Sequence, residues 1–405
     1  MFEKSSALTA AESDRRAAAF FAQGQYQQAL SQNQATARLL RHADPNLLRN
    51  SAICWHHLQN ASAALECFKQ YMRLSNSNTI DDIDQLAQYL NNAGRIAEGR
   101  QVIETQQHEC HKKHLDLGWY LYRDNLWQQA FVEMEIGRQQ GNILWIGEEK
   151  YRNLPPCPRW HGEPLAGKTV LAVAEGGLGD EFIFSRWLSL LDGQVDYYTN
   201  NSLSDVICTN FGINPYDRHR RYDYWFPMMS LPCLLEKYDP TMDRAYIKPQ
   251  RSFVEKWRSK IIGQHIAVLS WKGNGNFAEK HIRDIPIEPL VNKLKHKYTL
   301  YSVCMEASHC PEGVVDLTKD ITCWQDTLAI ISLCDISLCS CSSVAHASGA
   351  LGARTFVYTR PDDYFTWGGT ASGGQTPWYK NVTVWRQATI GQWEPIFDQS
   401  LANLS

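Results

Sequence analysis

The amino-acid sequence repeats itself near its start, and that period constrains the fold more than any other feature. Gly24-Gln-Tyr26-Gln-Gln-Ala29-Leu30 aligns with Gln59-Asn-Ala61-Ser-Ala-Ala64-Leu65 and with Gly94-Arg-Ile96-Ala-Glu-Gly99-Arg100, each 35 residues after the last. A fourth copy, Asn125-Leu-Trp127-Gln-Gln-Ala130-Phe131, follows at a slightly shorter offset. From about residue 14 to residue 140 the chain is rich in Ala, Gln, Leu and Arg and nearly free of Pro, which is helix-forming composition. A turn residue, a bulky residue two positions on and a small one three later predict paired helices that touch at the small residue. Each pair leaves an apolar face that only its neighbour can bury, so the copies are expected to stack as a solenoid. Asp44-Pro45 falls where the first unit ends.

The bulk numbers close off several function classes. A chain of 405 residues with a net charge of −3 and no long run of one sign has no large electrostatic footprint for nucleic acid. Its 12 cysteines lack a paired spacing and read as reduced thiols, so a cytoplasmic protein is expected. Charges run through the first residues with no apolar core, which is not a secretory signal, and no apolar run of about 18 residues predicts a transmembrane segment. Cys110 stands among His108, Glu109, His111 and His114, and Cys54 beside His56 and His57. Both clusters read as polar helix faces with a filler cysteine, and no metal is expected.

A proline-rich stretch, 152–168, ends the repeats, and strand-like runs then alternate with helical ones, the pattern of a parallel sheet with helices on its faces. Strands are expected at 169–174 and 194–198, with further short strands or extended pieces at 222–226 and 245–247. The stretch 170–191 begins as a buried strand, passes through Gly176, Gly177 and Gly179 to Asp180, and continues at helical period. It is neither G-x-G-x-x-G nor a P-loop, so neither a dinucleotide fold nor an ATPase follows. A second set of strands is expected at 266–269, 298–304, 314–317, 336–339, 355–358 and 382–385. After the first of these comes Ser270-Trp271-Lys272-Gly273-Asn274, with Lys280, His281 and Arg283 close behind. Small polar residues and cations at a strand end suit a phosphate or sugar contact. Ser340-Cys341-Ser342-Ser343 opens a helix of small residues, a second strand-to-helix anion site. The segment 361–374 is long enough for a lid.

The order of these motifs resembles that of bacterial tetratricopeptide-repeat glycosyltransferases whose catalytic part is similar to the lipopolysaccharide heptosyltransferases of glycosyltransferase family 9. The resemblance is carried by the repeats, the Gly-Leu-Gly-Asp loop at 177–180, the Trp-x-Gly-Asn loop at 271–274, the helix start at 343–352 and the terminal Pro-Trp-Tyr. It implies an α plus α/β chain: a helical repeat domain over 1–150, then a GT-B pair of doubly wound α/β domains, the acceptor side at 165–250 and the nucleotide-sugar side at 251–405. It further implies metal-independent transfer of a sugar from a nucleotide-sugar co-substrate to an acceptor hydroxyl, with no other cofactor. Asp180 matches the acceptor-side carboxylate that acts as general base. Gly177, Gly179, Lys272, Asn274, Lys280, Arg283, Ser342, Ser343 and His346 match donor-side positions.

Two departures stand out: Cys341 where the family usually has Asp, and Lys272 where it usually has Ala. The repeats imply a protein partner, such as flagellin or another surface protein as acceptor, or self-assembly into a homo-oligomer. Cys341 is the feature that favours another class, a non-catalytic repeat scaffold with a degenerate transferase domain. A third reading is a transferase acting on a cell-envelope glycan.

Overall fold

The protein is described by a computed structural model covering residues 2–40, 44–141, 154–199, 202–241, 245–273, 283–361, 367–369 and 372–404. Eight helices come first: α1 (Phe2–Ala22), α2 (Tyr26–Leu40), α3 (Pro45–His57), α4 (Ala61–Ser75), α5 (Ile80–Asn92), α6 (Ile96–Thr105), α7 (His111–Arg123) and α8 (Trp127–Gln140). They form four pairs, and one backbone device recurs at the turn inside each. Gly24 (φ 71°), Gln59 (57°), Gly94 (75°) and Asn125 (59°) all take the left-handed conformation. The next amide then reaches back five residues, Gln25 to Phe20 at 2.8 Å, Asn60 to Trp55 at 2.9 Å, Arg95 to Leu90 at 2.8 Å and Leu126 to Leu121 at 2.9 Å. These bonds satisfy carbonyls that a helix end would otherwise leave open. Glycine adopts this turn freely and Asn tolerates it, whereas Gln59 holds it against its own preference. Ala29, Ala64 and Ala130 are buried where the paired helices meet, and Gly99 takes that place in the third copy. Asp44 caps α3 by accepting from the Asn46 amide at 2.8 Å, with Pro45 in the first turn.

The chain divides into two compact units, and the boundary falls inside α7. One unit holds residues 1–116 with the short segments 360–362 and 387–392; the other holds the rest, including the end of α7 and all of α8. The first unit is cored by Ala52, Ala64, Leu65, Phe68, Tyr71, Tyr89 and Leu90. In the second, Phe131 of α8 packs edge-on against Trp187 at 5.7 Å and Trp378 at 6.2 Å, so this helix is part of the α/β body.

That body contains two sheets. The first runs β3-β2-β1-β4, all parallel, from β1 (Thr169–Val173), β2 (Gln194–Tyr198), β3 (Asn214–Pro215) and β4 (Tyr224–Pro227). The second runs β10-β11-β9-β8-β5-β6-β7. Its strands are β5 (Ile266–Ser270), β6 (Thr299–Ser302), β7 (Val314–Asp316), β8 (Ile336–Ser340), β9 (Thr355–Thr359), β10 (Gly374–Thr376) and β11 (Tyr379–Arg386). All its pairings are parallel except β10 with β11. Leaving aside β10, the order outward from β5 is that of a doubly wound fold, with the direction of winding reversing between β5 and β8; in the first sheet it reverses between β1 and β4. The chain is thus helical repeats followed by two doubly wound halves, the fold class expected for a repeat-bearing GT-B protein. The segment 245–247 joins neither sheet: the Tyr246 and Ile247 amides donate to Ala350 O at 3.1 and 3.2 Å instead. Among the described residues no helix is long and apolar enough to cross a membrane.

Candidate functional site

In an open α/β sheet, ligands bind beyond the strand ends where the winding reverses. Four loops occupy those places here. Glu175–Gly177 follows β1, Met228–Ser230 follows β4, Trp271 to Gly273 follow β5, and Cys341 to Ser343 follow β8. The helix after β1 (Leu178–Ser185) packs against the helix after β8 (Ser343–Leu351), so the two reversal points belong to one cleft. The approach is close. A Cβ on Gly179 would lie 2.8 Å from Cδ2 of His346, so only glycine fits without displacing the ring.

Asp180 sits in the first turn of the Leu178–Ser185 helix, and its Oδ2 accepts from the Gly177 amide at 2.8 Å. This is one half of a capping box; glycine has no side chain to return the other. Gly176 (φ 67°) makes the turn, and a Cβ there would strike the Asp180 carboxylate. Burial pushes the Asp180 carboxyl up to about 6; the Gly177 bond pulls it down, while the negative charges of Glu181 and Glu175 raise it. By accessible area the residue is only part-buried, so water is not fully excluded from it. Glu181, next along, is fully buried and accepts from Tyr197 and, at 3.0 Å, from Thr199. Of the two adjacent acids, Asp180 is therefore the one open to chemistry.

Across the cleft, Ser342 is the N-cap residue of the Ser343–Leu351 helix, yet its hydroxyl makes no capping bond. The buried Oγ atoms of Ser342, Ser270 and Ser340 all lack a hydrogen-bond partner among the described residues. Ser270 ends β5 and Ser340 ends β8, and their exposures are 1% and 0%. Unpaired buried hydroxyls are costly, and here they cluster at a reversal point and a helix start, where a ligand can satisfy them. Arg283 folds over Gly273, so close that a Cβ on Gly273 would overlap the guanidinium, which brings this cation to the end of β5. Lys272 is half-buried in the same loop, and its positive charge helps hold the Glu288 carboxyl below its usual range, after the His309 and backbone bonds to that group. Asn274 and Lys280 lie outside the described residues.

His346 is placed differently from the serines. Its ring is buried, stacked on Trp367 at 4.3 Å and 6°, with Nδ1 3.3 Å from the Tyr379 hydroxyl. Burial, with a contribution from Arg186, pushes the imidazole down to about 3, which favours its neutral form. The Trp367 indole N–H donates to Cys341 Sγ at 3.1 Å, which gives the thiol a structural partner where the family resemblance implies a carboxylate.

Several residues of the site carry no sequence motif. Arg186 is buried just after the Leu178–Ser185 helix and donates to Ile183 O at 2.9 Å, Pro240 O, Trp378 O at 3.0 Å and the Tyr246 hydroxyl at 3.0 Å. Its guanidinium also lies over the rings of Tyr379 at 4.9 Å and Trp378 at 5.1 Å. It therefore ties the first half of the body to the strand region of the second. Glu175 and its partner Arg138 are the other pair without a local signal. Only the tight run of glycines after Glu175 marks the place.

No protein-family profile matches the chain. Among curated proteins the chain is similar to Protein FlbA of Caulobacter vibrioides, 23% identical over 285 residues, which is 59% of this chain and 47% of that protein. The match thus spans about half the length of this relative, 47%. Among solved structures the chain is similar to the E. coli ADP-heptose lipopolysaccharide heptosyltransferase II, with TM-score 0.41 and 11% identity over 58% of this chain and 98% of that one. It is also similar to a mutant O-GlcNAc transferase from Thermobaculum terrenum, with TM-score 0.34 and 10% identity over 98% of this chain and 90% of that one.

Proposed function

We propose that the protein transfers a sugar from a nucleotide-sugar to an acceptor hydroxyl. One observation carries the reading. The close approach of Gly179 to His346 joins two α/β reversal points in one cleft, with a desolvated carboxylate on one side and a helix start with unpaired hydroxyls on the other. Asp180, with its carboxyl raised to about 6, is mostly ionised at neutral pH and still basic enough to take the acceptor proton. The departing diphosphate gathers charge as the glycosidic bond breaks. The Ser343–Leu351 helix start, the Ser342 and Ser343 hydroxyls, and the Arg283 and Lys272 cations stabilise it there. Asn274 and Lys280 belong to the same donor-side group in this reading. The mechanism assigns these residues the work a metal ion does in other transferases, so turnover should persist in EDTA.

The acceptor in this reading is a protein held by the helical repeats, whose stacked pairs are a frame for binding extended partners. The test is turnover by the full chain with ADP-, UDP-, GDP- and CMP-sugars, wild type against Asp180→Asn. Transfer should fall by roughly 10²–10⁴-fold in the variant, the usual worth of general-base catalysis. Donor binding, read as a rise in melting temperature, should survive. Unchanged turnover removes Asp180 from the reaction, and a wild type that binds none of the donors supports the scaffold reading instead.

A further inference from the structure

We propose that the buried Arg138–Glu175 pair is a positioning pair for the reaction: the last repeat helix, α8, holds the turn that presents Asp180 to the cleft. The proposal rests on the transfer reading for its catalytic consequence, while its structural part stands alone.

Glu175 is the second residue beyond β1, and its side chain is fully buried. Arg138 of α8 donates from one nitrogen, Nη2, to both of its oxygens, at 2.5 and 2.6 Å, a charge-assisted contact. The Met229 amide donates to the same carboxylate at 3.1 Å. Glu175 thus staples the loop after β1 to the loop after β4, the two arms of the reversal point. Arg138 adds a bond to Ser230 Oγ at 3.1 Å, in that second loop. Glu135 backs it from one turn earlier in α8 at 3.0 Å, and Arg159 reaches both Glu135 and Ser230 at 3.2 Å.

Between Glu175 and the Asp180 helix lie only Gly176 and Gly177. Gly176 is left-handed, and the Asp180 carboxylate folds back over it to the Gly177 amide. Displacing Glu175 therefore displaces the cap that orients Asp180. The link is electrostatic as well. Among the described residues, the charges of Glu181 and Glu175 raise the Asp180 carboxyl, while burial and Arg186 push the His346 imidazole across Gly179 down towards its neutral form. A buried carboxylate that loses its paired cation is expensive, so Glu175 and Arg138 stand or fall together. On this view α8 belongs to the catalytic body, and a truncation that begins after residue 154 leaves Glu175 as an orphaned charge.

The decisive experiment follows the carbon-13 carboxyl resonance of Asp180 in the full chain, assigned with Asp180→Asn, over a pH titration without substrate. In Glu175→Gln the midpoint should move down, because a negative charge is removed and a cation left behind. Turnover should fall by roughly 10–100-fold, the worth of a small misplacement, with its acid limb following the midpoint and KM nearly unchanged. Arg138→Lys keeps the charge but loses the second nitrogen, Nη1, which bonds Glu135 and Ser230. It should lower kcat while leaving the Asp180 midpoint in place. An Asp180 midpoint that is the same in Glu175→Gln and wild type overturns the proposal whether or not the protein transfers sugars. If Glu175→Gln fails to fold, wild-type kcat in Arg138→Lys overturns it instead. An absence of turnover in the wild type with a shifted midpoint would sink the transfer reading and leave the positioning of Asp180 standing.

Discussion

Asp180→Asn should make stability less dependent on pH, and the sign and size follow from the site. The carboxyl is raised from an ordinary value of 3.8 to about 6, first by burial. A native state that holds its proton more tightly than the unfolded chain loses stability as pH rises between the two values, and the loss is complete above the upper one. A shift of about two units corresponds to roughly 3 kcal/mol at most, at 1.36 kcal/mol per unit. The side chain is only part-buried, so solvent screens a share of this, and about 1–2 kcal/mol is the expected size. Asparagine keeps an oxygen that can accept from the Gly177 amide and carries no charge, so the cap survives and the penalty does not. Urea unfolding followed by tryptophan fluorescence, at pH 4 and pH 7.5, gives the double difference directly. The variant should gain about 1–2 kcal/mol on the wild type between the two pH values. A difference that does not change with pH would show that Asp180 ionises as if in water, and the argument for a desolvated base would fall.

Ser342→Ala should leave melting temperature nearly unchanged, because the cap bond that ordinarily makes such a change cost about 1 kcal/mol is absent here. It should still weaken nucleotide-sugar binding, read by titration calorimetry. Gly349→Ala puts a methyl 2.6–2.8 Å from ring atoms of Tyr379, which must shift, and denaturant midpoints should report a loss of about 1–3 kcal/mol. Asp326 is buried, and burial alone would raise its carboxyl, but bonds from Lys256 at 2.6 Å, the Thr322 amide at 2.9 Å and Trp257 at 2.7 Å hold it down at about 2. Its contribution, about 2–3 kcal/mol, is fully present above pH 4 and lost as pH falls towards 2, so Asp326→Asn should destabilise at pH 7 and flatten the acid limb of unfolding.

The helical part of the chain was legible because its signals are local. A left-handed turn residue at 24, 59, 94 and 125 and a small residue five positions on are short-range demands of a helix pair, and the period repeats them. Gln59 and Asn125 show that the period carries the information even where glycine is missing. The strand–glycine–helix pattern of 170–191 was legible for the same reason, and so was the helix start after β8. The piece at 245–247 was legible only as a strand or extended piece: its amides find the end of a helix just over a hundred residues further on.

What the sequence determined by itself is the series of elements and the residue types at each strand end, because propensity, period and turn chemistry act over a few residues. Which of those residues meet was decided only by the tertiary structure. His346 looks in sequence like a phosphate ligand at a helix start; in the fold its ring fills the space opposite Gly179, under Trp367. Glu175 and Arg138 are 37 residues apart and unremarkable in sequence, yet they close on each other where a repeat helix meets a strand end. Burial decides both outcomes. Once water is excluded, an imidazole must shed its charge and a carboxylate must find a cation, and only the packed chain determines which side chains are shut away together.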